Sequence, residues 1–492
     1  MRTSRTTRRL GGALLAVVAS ALPLVAQQAP PGRTTTLAFT HATIIDVESG
    51  RHLANMTVVV DGDRIRTIGP SSSVSVPSEA RVIDAAGKYL LPGLWDMHVH
   101  AAVPWLGDLF LPLLVANGVT GVREMFSQSQ WVDSSRAKIR SGRLVGPRIV
   151  ASGHILDGSP PVWPGSVSVR NPDEARHAVD SLKAAGADFI KVYSRLTPEE
   201  YRAVADESKR VGLSFAGHVP TLMTVTAASD AGQRSIEHLT GVLTACSTRE
   251  QEVLGEVAAA AASSRGWDSV GALSRAQAPG ILATFDASRC TTLARTLAKN
   301  GTWMVPTIAV LHSISFLDDT TLAGDPRMRY IPPMMASGWN PRSDFRFRSM
   351  TAQNWATRRA VFTKQLEIVT LLHREGVRFL AGTDLSNPYI YPGFSLHDEL
   401  ASLVAAGFSP LEALRSATID AARFLCAADS LGSVTMGKRA DLLLLDADPL
   451  ADIRNTTRIA VVVAAGRVYD SAARERMLAD EQKAARSLRG SK

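Results

Sequence analysis

Four histidines, one lysine and one aspartate stand at the ends of short apolar runs in this 492-residue chain. His98 and His100 close Trp95-Asp96-Met97-His98-Val99-His100, and Lys191 lies in Phe189-Ile190-Lys191-Val192-Tyr193. His218 follows Ala216-Gly217, His238 follows Ile236-Glu237, and Asp384 ends Ala381-Gly382-Thr383-Asp384. If these runs are strands, alternate side chains share a face, so His98 and His100 point the same way and can bind one metal. The same alternation puts Lys191 with Phe189 and Tyr193. Imidazoles with a carboxylate are the ligand set of zinc and similar metals. Taken singly, each residue is equally compatible with a hydrogen-bonded structural role or, for Asp384, a helix cap. Taken together they predict a metal centre.

Lys191 requires separate treatment. An ammonium aimed into a metal site is both desolvated and repelled, which favours the neutral amine. A neutral amine can add carbon dioxide to give a carbamate, an anionic oxygen ligand able to bridge two metals. The competing expectation is a lysine paired with an acid such as Asp96 or Glu124. Tyr193, two residues on, is placed to donate its hydroxyl to a developing oxyanion, or simply to pack. His154, in the loop after the third strand candidate, and Arg123, at the end of the second, are candidate substrate contacts, Arg123 for a carboxylate; both are equally open to structural roles. His397 is expected at a helix start as a capping residue.

Elements of matching regularity must position this set. Eight apolar strand candidates (94–99, 120–124, 148–153, 188–193, 214–219, 235–239, 303–308 and 379–384) alternate with helical stretches, the pattern of a (β/α)₈ TIM-type barrel spanning 91–429. All six candidate ligands fall at strand C-terminal ends, where such barrels carry their chemistry. The stretches 241–302 and 309–378 are long enough to form lids or substrate walls. Residues 36–90 and 430–470 are strand-rich, with a hairpin signature around Asp61-Gly62-Asp63-Arg64. They predict a small β-sandwich built from both chain ends, followed by a helical tail over 471–492.

Composition narrows the class. Hydrophobic residues at 45% and charged residues at 20% describe a globular protein. Residues 1–26, with Arg2, Arg5, Arg8 and Arg9 before an apolar run, are expected to be a signal peptide for a periplasmic or secreted protein, and 27–35 a linker. That run is shorter than the roughly 20 residues a membrane span needs. Loss of the leader removes four arginines and no acid, lowering the net charge from +8 to +4. No clustered basic surface remains to suggest nucleic acid as a partner. Of the three cysteines, Cys246 and Cys290 flank one insertion and can pair in an oxidising compartment, whereas Cys426 reads as a small core residue.

The block Leu91-Pro92-Gly93-Leu94-Trp95-Asp96-Met97-His98-Val99-His100, with Lys191, His218, His238 and Asp384 following in order, resembles the amidohydrolase superfamily. The strings FIKVY, GHVP, IEHLTG and HDELASLVAAGFSPLEALRSAT are similar to its imidazolonepropionase-like and Xaa-Pro dipeptidase-like branch, and the resemblance spans roughly residues 36–470. It implies two divalent metals, zinc being expected. His98, His100 and Asp384 would hold the more buried ion, His218 and His238 the more exposed one, with carbamylated Lys191 between them and Asp384 as proton shuttle. It implies hydrolysis of an amide in a small molecule or peptide, such as an Xaa-Pro dipeptide or an N-acyl amino acid, by an activated water. Imidazolonepropionase resembles a one-metal site, from which Lys191 departs. A deaminase of the superfamily would present a glutamate shortly after His218, where Val219-Pro220-Thr221 stands instead. A lactonase or organophosphate hydrolase would use the same site, and a non-catalytic relative would have no need of all six ligands. A homo-oligomer remains open.

Overall fold

The structure, a computed structural model, describes residues 36–488. The expected signal peptide, the whole of the linker and the last four residues of the tail lie outside the described residues. Five strands open the fold: β1 (Thr36–Ile45), β2 (His52–Asp61), β3 (Arg64–Pro70), β4 (Arg81–Asp84) and β5 (Tyr89–Pro92). Next come β6 (Leu94–Val99), β7 (Val119–Glu124) and β8 (Arg148–Ala151). β9 (Ile155–Gly158), β10 (Val167–Val169), β11 (Ile190–Val192), β12 (Phe215–Gly217), β13 (Ser235–Glu237) and β14 (Trp303–Val305) follow. β15 (Leu442–Leu445), β16 (Ile459–Ala464) and β17 (Arg467–Asp470) come last.

The first five and last three strands form one mixed sheet, ordered β17-β16-β15-β5-β1-β2-β3 with β4 alongside β1. The chain ends meet where β5 and β15 pair antiparallel, Leu91 opposite Leu443. The four consecutive leucines of β15 show why this sheet sits where it does. Leu442 and Leu444 enter a core with Phe39, Val58 and Val463, whereas Leu443 and Leu445 pack into the main α/β core. A strand buried on both faces reads as an unbroken apolar run.

The remaining strands are parallel, in sheets β6-β7-β8 and β10-β9-β11-β12-β13-β14, with helices between them. Hydrogen bonds continue beyond these sheet edges. Leu380 donates to Met304 O at 2.9 Å, while Met97 donates to Ala381 O at 2.9 Å and Asp384 to His98 O at 2.8 Å, so the segment 379–384 lies between β14 and β6. Asp188, entering β11, donates to Ala151 O of β8 at 2.8 Å. The helices start where sequence dictates: Thr197 and Ser409 each complete a capping box with a glutamate three residues on.

Several strands are shorter than their apolar runs predict, and 379–384 forms bridges rather than a named strand. The cause is local geometry at the C-terminal ends. His238, Leu239, Thr307 and Asp384 have φ of 57°, 54°, 50° and 58°, which ends the ladder. Left-handed backbone at non-glycine residues costs about 1–3 kcal/mol each and clusters at functional sites. Two further expectations are corrected. Cys426 is exposed, because the helix Ile419–Phe424 stops short of it and its own backbone turns left-handed. The tail expected to be helical over 471–492 forms the helix Ser471–Ser487, docked by Arg474 donating to Ala116 O and by buried Ala485. His397 caps nothing; it is buried inside Phe394–Ala405, its Nε2 donating to Asn117 O at 3.0 Å and its Nδ1 facing Thr456 Oγ1 at 2.9 Å. Cys246 and Cys290 form a disulfide across the helical insertion after β13.

Candidate active site at the strand ends

His98 occupies the end of β6, entirely buried. Its Nδ1 is 2.7 Å from Glu237 Oε2, which leaves Nε2 turned inward, buried and without a hydrogen-bond partner. His100 Nε2 lies 3.1 Å from Asp384 Oδ1, and His238 Nε2 lies 3.8 Å from Asp384 Oδ2. Each remaining histidine is also fixed from behind: His238 Nδ1 is 2.7 Å from Thr307 Oγ1, and His218 Nδ1 is 3.0 Å from Ser194 Oγ. A ring held through one nitrogen with the other left free is how metal-ligating histidines are oriented.

Among the described residues, ligand atoms of His98, His238 and Asp384 lie within 4.8 Å of one another. His100 joins them through Asp384. The His218 ring sits 5.1 Å from that of His238 and stacks on Tyr193 at 3.9 Å. Lys191 lines the same cavity of about 370 Å³. Backbone approach here is close: a Cβ on Gly382 would fall 2.9 Å from His98 Cβ, and one on Gly217 would fall 2.1 Å from Val192 O and 3.0 Å from Lys191 Cδ. Only glycine allows the strands to converge so tightly.

The electrostatics match the donor set. Burial, followed by the neighbouring Lys191, holds His98 and His218 well below the ordinary histidine range, so both are neutral bases. Burial alone would raise Asp384, but His238 and His100 outweigh it and bring it down to about 2. Burial would lower His100, yet Asp384 and Glu124 push it up to about 9; the proton it carries is what a metal cation would displace. Lys191 is buried and brought down to about 8, chiefly by desolvation. It has no salt bridge among the described residues, because the acids expected as partners are committed elsewhere. Asp96 accepts from Thr383 and the His98 amide, and Glu124 accepts from the amides of Ala101 and Ala102. An inward nitrogen with no partner, the neutral imidazoles of His98 and His218 and a fixed carboxylate fit a divalent metal site.

Two sequence candidates are not brought to this centre. Arg123 lies buried behind His98, donating to Met97 O, Ser235 Oγ and both oxygens of Glu237. It neutralises the carboxylate that orients His98 and cannot meet a substrate. His154 is outside the cavity lining, its Nδ1 2.7 Å from Gly165 O. Conversely, the sequence reading passed over Glu237, Ser194 and Thr307, and the cavity residues Trp163, Arg346 and Asn387. Glu237 carried a signal, since an acid inside an apolar strand demands a buried partner; the loop-borne residues carried none.

The Amidohydrolase family model matches residues 89–469, and the chain belongs to the amidohydrolase family. Ochratoxinase from Aspergillus niger is 23% identical over 499 residues, covering 88% of this chain and 85% of its own. Adenine deaminase from Rubrobacter xylanophilus is 43% identical over 65 residues, so this chain spans only 11% of that enzyme's length. Bottromycin amidohydrolase superposes with a TM-score of 0.71 at 23% identity, covering 92% of this chain and 91% of its own. A Xaa-Pro dipeptidase with bound methionine superposes with a TM-score of 0.65 at 22% identity, over 89% of this chain and all of its own. Family membership supports a hydrolase acting on carbon–nitrogen bonds; the superpositions, at 22% and 23% identity, show a shared fold.

Proposed function

We propose that the chain is a binuclear metal-dependent amidohydrolase, and that its two parallel sheets and the segment 379–384 are arcs of one closed (β/α)₈ barrel. The observation that carries the metal reading is His98 Nε2, buried, unpartnered and grouped with His238 and Asp384. A bare imidazole nitrogen kept dry is costly unless something binds it. His98, His100 and Asp384 would hold one ion, His218 and His238 the other, and Lys191 as its carbamate would bridge them. The addition joins Lys191 Nζ to carbon dioxide and releases one proton. The lowered basicity of Lys191 supports it.

Such ions, when bound, bring the pKa of water from about 15.7 to about 7 and polarise the scissile carbonyl. Asp384, ionised at neutral pH, takes the proton of the attacking water on a carboxylate oxygen and returns it to the leaving nitrogen. Tyr193 accepts from Trp163 Nε1 at 2.8 Å, so its own proton is free to donate to the oxyanion. Burial raises its phenol above the ordinary range and keeps that proton in place. Trp163, Leu311 and Ile314 give the cavity an apolar wall that excludes bulk water. The substrates are small amides, with Xaa-Pro dipeptides and N-acyl amino acids foremost. The disulfide supports the reading that the chain is exported. A hydrolysis screen of zinc-loaded protein against dipeptide and N-acyl-amino-acid libraries tests the activity; cleavage of esters or lactones with no amide cleaved would overturn it.

A further inference from the structure

Apart from the candidate metal ligands, the cavity presents one charged side chain, Arg346, carried in by the insertion after β14. Asp344 accepts from its Nε at 3.1 Å and its Nη2 at 2.7 Å, and Asn387 Oδ1 accepts from its Nη1 at 3.0 Å. A guanidinium has five N–H donors, so N–H groups on Nη1 and Nη2 stay uncommitted. Those two nitrogens form the fork that receives a carboxylate on two bonds.

The guanidinium is one residue removed from each reacting group. Asn387 donates from Nδ2 to Asp384 O at 3.1 Å. Trp163, whose ring lies 5.7 Å from Arg346 Cζ, donates to Tyr193 Oη. Charge favours an anion here. Asp344 neutralises Arg346, but neighbouring Arg358 has no salt bridge among the described residues, and both guanidiniums lie about the Phe347 ring, at 5.0 and 5.1 Å. Burial and then Arg346 bring Arg358 down to about 10. Two arginines and one aspartate leave one positive charge beside the cavity, partly desolvated and unmatched.

We propose that Arg346 anchors a free carboxylate on the leaving amine, so that the site takes N-acyl amino acids and dipeptides in preference to neutral amides. The inference rests on the hydrolase reading and narrows its substrate class. Asp344 and Asn387 fix the fork, and Arg358 supplies the charge that Asp344 cancels.

The test compares an N-acyl amino acid with its carboxamide, and a dipeptide with its amide, in wild type, Arg346→Met and Arg346→Lys. Wild type should favour each acid by roughly 100-fold in kcat/KM, because the neutral analogue cannot form the charge-assisted pair of hydrogen bonds. Arg346→Met should bring that ratio to within about threefold of unity, mostly through KM on the acid, and Arg346→Lys should recover part of it. A merely structural role would depress both members of each pair alike and leave the ratio unchanged, overturning the proposal. So would wild-type indifference to the carboxylate. Calorimetric binding of the same pairs reads the anchor where no bond is cleaved: acid-selective binding lost in Arg346→Met supports it even if the hydrolase reading fails, and equal binding overturns it.

Discussion

At the scale of single residues, the site depends on groups that never touch a substrate. Glu237 both orients His98 and neutralises buried Arg123. Glu237→Gln should therefore cost about 3–5 kcal/mol in denaturant melts, because it strands a buried guanidinium. It should also weaken metal binding by about 10–100-fold in chelator competition, the usual effect of losing a ligand's hydrogen-bond partner. Unaltered metal affinity would separate Glu237 from the site. Asp384→Asn should lower turnover by at least about 100-fold with the fold intact, since it removes a ligand and the proton carrier together. The candidate ligands were legible because alternation on short strands forces His98 and His100 onto one face and six such residues onto neighbouring ends. Arg123 misled because an arginine at a strand end looks the same in sequence whether it faces a substrate or a buried glutamate. Only the position of Glu237, on the distant strand β13, decides between them.

At the scale of elements, strands could be read from apolar runs, but their ends could not. The turn of His238 and Asp384 into left-handed backbone depends on contacts across the sheet rather than on neighbours in sequence. The helix Phe394–Ala405 makes a similar point: its His397 reaches the carbonyl of Asn117 and the turn Ile453–Thr457, contacts that no local pattern announces. Burial brings His397 down to about 4, so it is neutral in the fold. An unfolded histidine titrates near 6.5, so between about 6.5 and 4 the unfolded chain binds the extra proton, and stability falls as pH drops through that window by up to about 3 kcal/mol. Urea melts at pH 7.5 and 4.5 should show His397→Gln losing less stability than wild type; equal losses would contradict this. The insertion after β13 is closed by Cys246 and Cys290, 44 residues apart. A loop of that length gives about 4 kcal/mol by chain entropy. Cys246→Ser with Cys290→Ser should lower the thermal midpoint while leaving the residues around His98 in place, checked by metal content.

At the scale of the whole molecule, both ends of the chain join one sheet while the parallel strands between them aim their C-terminal ends at a single cavity. Strand-rich segments around an alternating middle pointed to a module built from both, expected as a β-sandwich; the described strands form one mixed sheet. The cavity residues Trp163, Arg346 and Asn387 were not legible, because loops without periodicity are placed by the body they pack on. The account as a whole requires that six side chains from five strand ends hold two cations at once. Metal content per folded chain, measured after zinc loading and removal of excess, tests this most directly. Two zinc ions per wild-type chain are expected, falling to one or none in Lys191→Ala together with a loss of at least about 100-fold in turnover. Two ions retained in Lys191→Ala, or none in wild type, would contradict it.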